Sequence, residues 1–249
     1  MVLVLPGMTG LLFSAAAVPV KAAELPVLES DSTSPSSGCV FLGIEGKYIA
    51  GAAEVLDRIN EIRYEACTAG NVRDPRNPSK YLNKKDYVPL KWSRALEAIS
   101  RIRAAESSLT LNHARLNGKS IWSVTADGIR AGGEVLAWNY SGNALYGVNQ
   151  WYEEKEDWIT KSGNVTGHYE MMINPDNTYV GVASFYTEKS AGYPNTTAGS
   201  FSTASGSLNQ SGLSPSGTII QKLDVLISAI AGLSMNTVGK GETMSPGIR

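Results

Sequence analysis

Residues 167–185 read GHYEMMINPDNTYVGVASF. The second half of this stretch, Tyr179-Val180-Gly181-Val182-Ala183-Ser184-Phe185, joins β-branched, aromatic and small residues without a charge, the composition of a buried strand. Side chains alternate along a strand, so Tyr179, Gly181, Ala183 and Phe185 should face one way and Val180, Val182 and Ser184 the other. Asn174-Pro175-Asp176-Asn177 before it has the composition of a turn, and residues 168–173 also read as a strand. Outward from this core the pattern becomes helical. Ile49, Ala52, Leu56, Ile59 and Ile62 recur at three- and four-residue spacing, predicting a helix to about Cys67 that stops near Gly70. A second helix follows Ser93, with Leu96, Ile99, Ile102 and Ala105 on one face, and a third spans 145–159 on a stripe of Leu145, Val148, Tyr152 and Ile159. Helices and strands are mixed without a repeat, which gives an α+β domain over residues 47–188.

The flanks read differently. Residues 1–23 form an apolar run that ends with small residues at Val20 and Ala22, in the relation a signal peptidase cuts, although no Lys or Arg precedes the run. Pro6 and Pro19 interrupt it and leave it short of the roughly 20 residues a membrane helix needs. A secretory signal peptide is therefore expected, with no transmembrane segment in the mature chain. Residues 24–46, opening on ELPVLESDSTSPSSG, read as an exposed N-terminal linker, and residues 189–217 as a second linker rich in Ser, Thr and Gly. Residues 218–249 form a short apolar tail, read as the start of a truncated surface-repeat module.

At 249 residues the chain has room for one sizeable domain with appendages. Lys plus Arg (22) nearly cancels Asp plus Glu (23), and the balance also holds within residues 49–187, so a nucleic-acid partner, which selects a basic excess, is excluded. Two cysteines, Cys39 and Cys67, are too few for a zinc ribbon or a disulfide scaffold. In an exported chain they are expected to pair with each other, and the alternative is a reactive thiol.

The chemistry-bearing residues are few. Only two histidines occur: His113 in LNHARLNG and His168 in GHY. Between them lie Gly133-Glu134-Val135-Leu136-Ala137-Trp138 and Trp151-Tyr152-Glu153-Glu154. A His in a short loop, a GENLA-like Glu, a Glu after a WY pair and a GHY motif entering a strand, in that order, resemble the CAP superfamily. This group of SCP-like extracellular domains includes cysteine-rich secretory proteins, antigen 5 and pathogenesis-related 1. Gly167-His168 followed by Ile173-Asn174-Pro175, Thr178 and Val180-Gly181-Val182 is similar to the bacterial branch of that superfamily. Val135 stands where many members have Asn, Asn174 replaces a Trp, and the cysteine framework of animal members is absent.

The resemblance covers residues 49–187 and implies an α-β-α sandwich of the CAP/SCP type, secreted or at the cell surface. It also implies one cleft shared by His113, Glu134, Glu154 and His168. Two imidazoles suit zinc or another divalent cation, so His113 and His168 are the candidate metal ligands, with the carboxylates orienting them. Glu154 is preferred over Glu153 because neighbours on a helix point apart. The expected role is a binding or host-interaction module for an extracellular ligand of lipid, cell-wall or host origin. The alternatives are a metal-dependent, peptidase-like hydrolase with Glu134 and Glu154 as catalytic groups, and a sterol or fatty-acid carrier.

Overall fold

The computed structural model describes residues 24–49, 51–203 and 217–237; the expected signal peptide and the far end of the tail lie outside the described residues. The strands are β1 (Val27–Leu28), β2 (Cys39–Ile49), β3 (Arg73–Asp74), β4 (Asn77–Tyr81), β5 (Lys91–Trp92), β6 (Thr125–Ala126), β7 (Ile129–Arg130), β8 (Gly133–Asn139), β9 (Tyr179–Tyr186), β10 (Asn195–Ser202) and β11 (Thr218–Leu226). The helices are α1 (Ala52–Thr68), α2 (Arg94–Thr110), α3 (Ala144–Tyr152), α4 (Lys155–Thr160), α5 (Gly167–Ile173) and α6 (Ile227–Thr237). One sheet in the order β1-β11-β2-β9-β10-β8 organises the molecule, with β5 beside β9, while β3-β4 and β6-β7 form small separate ribbons.

Side-chain alternation on β9 divides the interior into two cores. Val180 and Val182 join Val135, Ala137 and Phe201 beneath α1, α3 and α5, around the buried Trp151. Ala183 and Phe185, with Tyr179 at the rim, join Leu136 and Ala198 beneath Leu96, Ile99 and Ala105 of α2. Helices thus cover both faces of the sheet, which is the expected α-β-α sandwich. α2 starts where Ser93 predicts, its hydroxyl accepting the Leu96 N–H at 3.2 Å. The helix then lies so close to the sheet that a Cβ on Gly181 would sit 2.0 Å from the Glu97 nitrogen, and the Ser100 hydroxyl donates to the Gly181 carbonyl at 2.8 Å. Only glycine fits that crossing.

The structure corrects several expectations. The segment read as an N-terminal linker supplies β1 and the eleven-residue β2. The Ser/Thr/Gly-rich segment supplies β10, buried at every position between β9 and β8. Several of its small polar side chains are paired inside the protein, with Ser184 donating to Asn195 and Ser100 to Ser200, both at 2.9 Å, while the buried Thr196 hydroxyl makes no hydrogen bond among the described residues. The apolar tail supplies β11, antiparallel to β2, so residues 218–226 belong to this sheet and do not start another module. Residues 168–173 lie in α5, not a strand: Tyr169, Met172 and Ile173 are buried at the i, i+3, i+4 spacing of a helix face. The third expected helix breaks at Glu153–Glu154 into α3 and α4.

Cys39 and Cys67 are both buried and unpaired. Cys67, at the end of α1, packs in the core beneath that helix, whereas the Cys39 sulfur faces the carbonyls of Ser37 and Asn117 at 3.8 and 3.9 Å. Burial pushes both thiols above their ordinary pKa, which also counts against a reactive thiolate. Among the described residues, no helix is long and apolar enough to cross a membrane.

Candidate functional site

His113 stands in the loop that leaves α2. Leu111 ends the helix in the left-handed conformation (φ 51°), and Asn112 Oδ1 accepts the Ala114 N–H at 2.7 Å. The turn leaves the imidazole 47% exposed, with Nδ1 2.7 Å from Glu134 Oε1. A carboxylate only accepts, so Nδ1 carries the proton and Nε2 keeps its lone pair in the neutral ring.

Glu134 is itself held from below. The Arg103 guanidinium of α2 donates through Nε to Oε2 at 2.6 Å and through Nη2 to Oε1 at 3.2 Å, and the same Nη2 donates to the His113 carbonyl at 2.6 Å. One buried fork therefore fixes both the carboxylate and the backbone of the histidine it orients. Arg103 also donates to Glu106, Glu106 accepts from Arg115 at 2.9 Å, and Arg115 reaches Asp31 at 2.9 and 3.0 Å. A line of alternating charge thus runs from Asp31 near β1 to His113, all of it buried except the imidazole. Three carboxylates face two guanidiniums. With all three ionised and His113 neutral, one negative charge is left over, while burial pushes the Glu106 carboxyl above its ordinary value. Burial would push the Glu134 carboxyl up, but the hydrogen bonds from His113 and Arg103 outweigh it and hold the group below its ordinary value.

The second pair is built at the start of α5. Glu154, in the break between α3 and α4, accepts the His168 and Tyr169 backbone N–H groups at 2.9 and 3.1 Å through Oε2, and its Oε1 lies 2.5 Å from His168 Nδ1. Thr166, at the cap position, makes no side-chain capping bond, so Glu154 performs that role from another part of the chain. Glu153 is exposed, in line with the preference for Glu154. The His168 ring is 26% exposed and its Nδ1 is engaged as in His113.

Glu134 is the second residue of β8, an edge strand. Glu134 points to the α2 face. On the other face α5 packs on the preceding residue: a Cβ on Gly133 would lie 2.3 Å from the Met171 sulfur. Among the described residues, no group of three or more His, Cys, Asp or Glu side chains is arranged to hold a metal ion. In each pair the carboxylate lies behind the imidazole Nδ1.

A model of the cysteine-rich secretory protein family, CAP, matches residues 56–198. The chain belongs to the CAP family. Among solved structures, this CAP chain is similar to venom allergen-like protein 4 of Schistosoma mansoni, at 14% identity over 66% of this chain and 95% of that one, with a TM-score of 0.42. It is also similar to an outer surface protein of Borrelia burgdorferi, at 18% identity over 63% and 96%, with a TM-score of 0.36. No curated protein matches. The CAP match runs into β10, past the boundary at residue 188 that composition suggested.

Sequence reasoning named the four motif residues of this CAP domain and missed Arg103, Glu106 and Arg115. The signal was present in α2. Arg103 follows Ile99 by four residues and Glu106 follows Ile102 by four, so both charges fall on the stripe that faces the sheet, where they need partners.

Proposed function

We propose that the chain is an exported CAP-domain binding module in which His113 and His168 offer Nε2 to one divalent cation, such as zinc, in a cleft around the edge of β8. The observation that carries this reading is the matched treatment of the two imidazoles: each has its Nδ1 engaged by a carboxylate, at 2.7 and 2.5 Å, and an Nε2 that makes no hydrogen bond among the described residues. Carboxylate-backed histidines are the usual donors of metal sites, because the outer contact fixes ring and tautomer. The surplus negative charge of the Asp31–Glu134 line favours a cation in the same place. Two protein ligands leave room for water or an exogenous ligand, so the residues fit an open site and not a closed structural one. A bound cation would act there as a Lewis acid on whatever ligand completes its coordination.

The carboxylates weigh against the hydrolase reading. Glu134 is neutralised by Arg103, and Glu154 is filled by two backbone donors and a ring nitrogen, so neither is a ready general base. Elemental analysis and zinc titration of the full chain purified without chelator test the proposal. Zinc affinity should fall steeply in His113→Ala and in His168→Ala, and about 10–100-fold in Glu154→Gln. A metal-free protein that does not take up zinc would defeat the reading. Extracted lipid that survives chelation would favour the carrier, and turnover lost with either carboxylate would favour the hydrolase.

A further inference from the structure

At the end of β8 away from Glu134, a cavity of about 450 Å³ opens between that strand, the loop into α3 and the segment before β10. Its lining includes Tyr140, Tyr146 and Tyr193, with Asn139, Ser141 and Gln150. The three tyrosines are 74%, 51% and 40% exposed, and they account for three of the nine large apolar or aromatic side chains exposed among the described residues. Such clustering on a surface marks a binding face. Tyr140 and Tyr193 form a corner, with ring centroids 5.1 Å apart and planes at 59°.

The polar groups are fixed in place. Asn139 Oδ1 accepts from Ser141 N at 3.0 Å and from Asn195 Nδ2 at 3.1 Å, while its own Nδ2 donates to Gln150 Oε1 at 2.8 Å. Gln150 Nε2 donates to the Trp138 carbonyl at 3.2 Å, which leaves its second N–H available. The hydroxyls of the three tyrosines have no partner among the described residues. No lining residue carries a charge.

We propose that this cavity is a binding site for a neutral saccharide. A sugar ring presents polarised C–H groups on its faces and hydroxyls around its rim. The electron-rich faces of Tyr140 and Tyr193 suit the former, and the Gln150 amide with the tyrosine hydroxyls suits the latter. The uncharged lining offers no counter-charge to a phosphorylated or acidic ligand and so favours a neutral one. The volume falls within the range of small-molecule sites, roughly 300–1,000 Å³. A proline-rich peptide also docks on aromatic corners with a donor to its carbonyls, which Gln150 could supply, but it offers no hydroxyls to match the ring of tyrosine hydroxyls and amides, so it is the competing class in the test.

The test is calorimetric titration of the full chain, with and without EDTA, using cellotriose, maltotriose and chitotriose, and a polyproline decapeptide as the competing class. At least one saccharide should bind with a millimolar or tighter Kd in both conditions, since the site is separate from His113 and His168. Tyr140→Ala and Tyr193→Ala should each weaken it about tenfold or more, while Tyr140→Phe, which keeps the ring, should stay within about threefold. No binding by any of the three sugars would overturn the proposal. So would binding that survives both alanine variants, or a peptide that binds where the sugars do not.

Discussion

Glu134 and Gly181 show how single residues set this site and its scaffold. The folded Glu134 carboxyl titrates below its ordinary value of 4.5, so its ionised form contributes stability above that pH. The contribution is lost as pH falls from about 4.5 through the depressed folded value. Glu134→Gln should therefore lower stability near neutrality and flatten the acid limb of a denaturant-midpoint-against-pH curve relative to wild type. Parallel curves would show that the Arg103–Glu134 pair does not govern acid sensitivity. Gly181 is constrained by geometry alone: its missing Cβ is the space that α2 occupies. Gly181→Ala should cost about 1–3 kcal/mol or more in urea unfolding, as overpacking against rigid backbone does.

At the scale of elements, the sheet depends on segments whose composition resembles linkers. β10 is made of Asn, Thr, Ala, Gly, Ser and Phe, and several of its polar side chains find partners on other strands and on α2, which no local pattern reveals. β2 and β11 are each other's long partner, and Asp224 of β11 accepts from Ser36 and Asn117. A fragment of residues 47–188 lacks β10, β11 and most of β2, so it should show neither a cooperative thermal transition nor dispersed amide resonances, whereas residues 24–237 should show both. A cooperatively folded 47–188 fragment would mean that the outer strands are appendages. The reverse holds in α5, where residues 168–173 look extended in composition but bury Tyr169, Met172 and Ile173 at helical spacing.

For the whole molecule, the fold was legible because β9 alternates and α1 and α2 are periodic, and the CAP motifs fixed their order. The motifs also singled out His113, Glu134, Glu154 and His168, which the structure joins as two His–Glu pairs. The buried ion line behind them was not, because Asp31, Arg115, Glu106 and Arg103 meet only through the tertiary fold and come from a supposed linker, a loop and a helix. That line ties the N-terminal segment to His113, so the setting of His113 belongs to the complete sheet rather than to the motif region alone. If the two carboxylate-backed imidazoles share one cation, both enter its coordination shell. X-ray absorption at the zinc edge of the full chain loaded with one equivalent of zinc should show two imidazole nitrogens at about 2.0–2.1 Å with light oxygen ligands completing the shell, and one imidazole fewer in either His113→Ala or His168→Ala. A shell with no imidazole, or one that keeps its imidazole count in both variants, would contradict the shared cation.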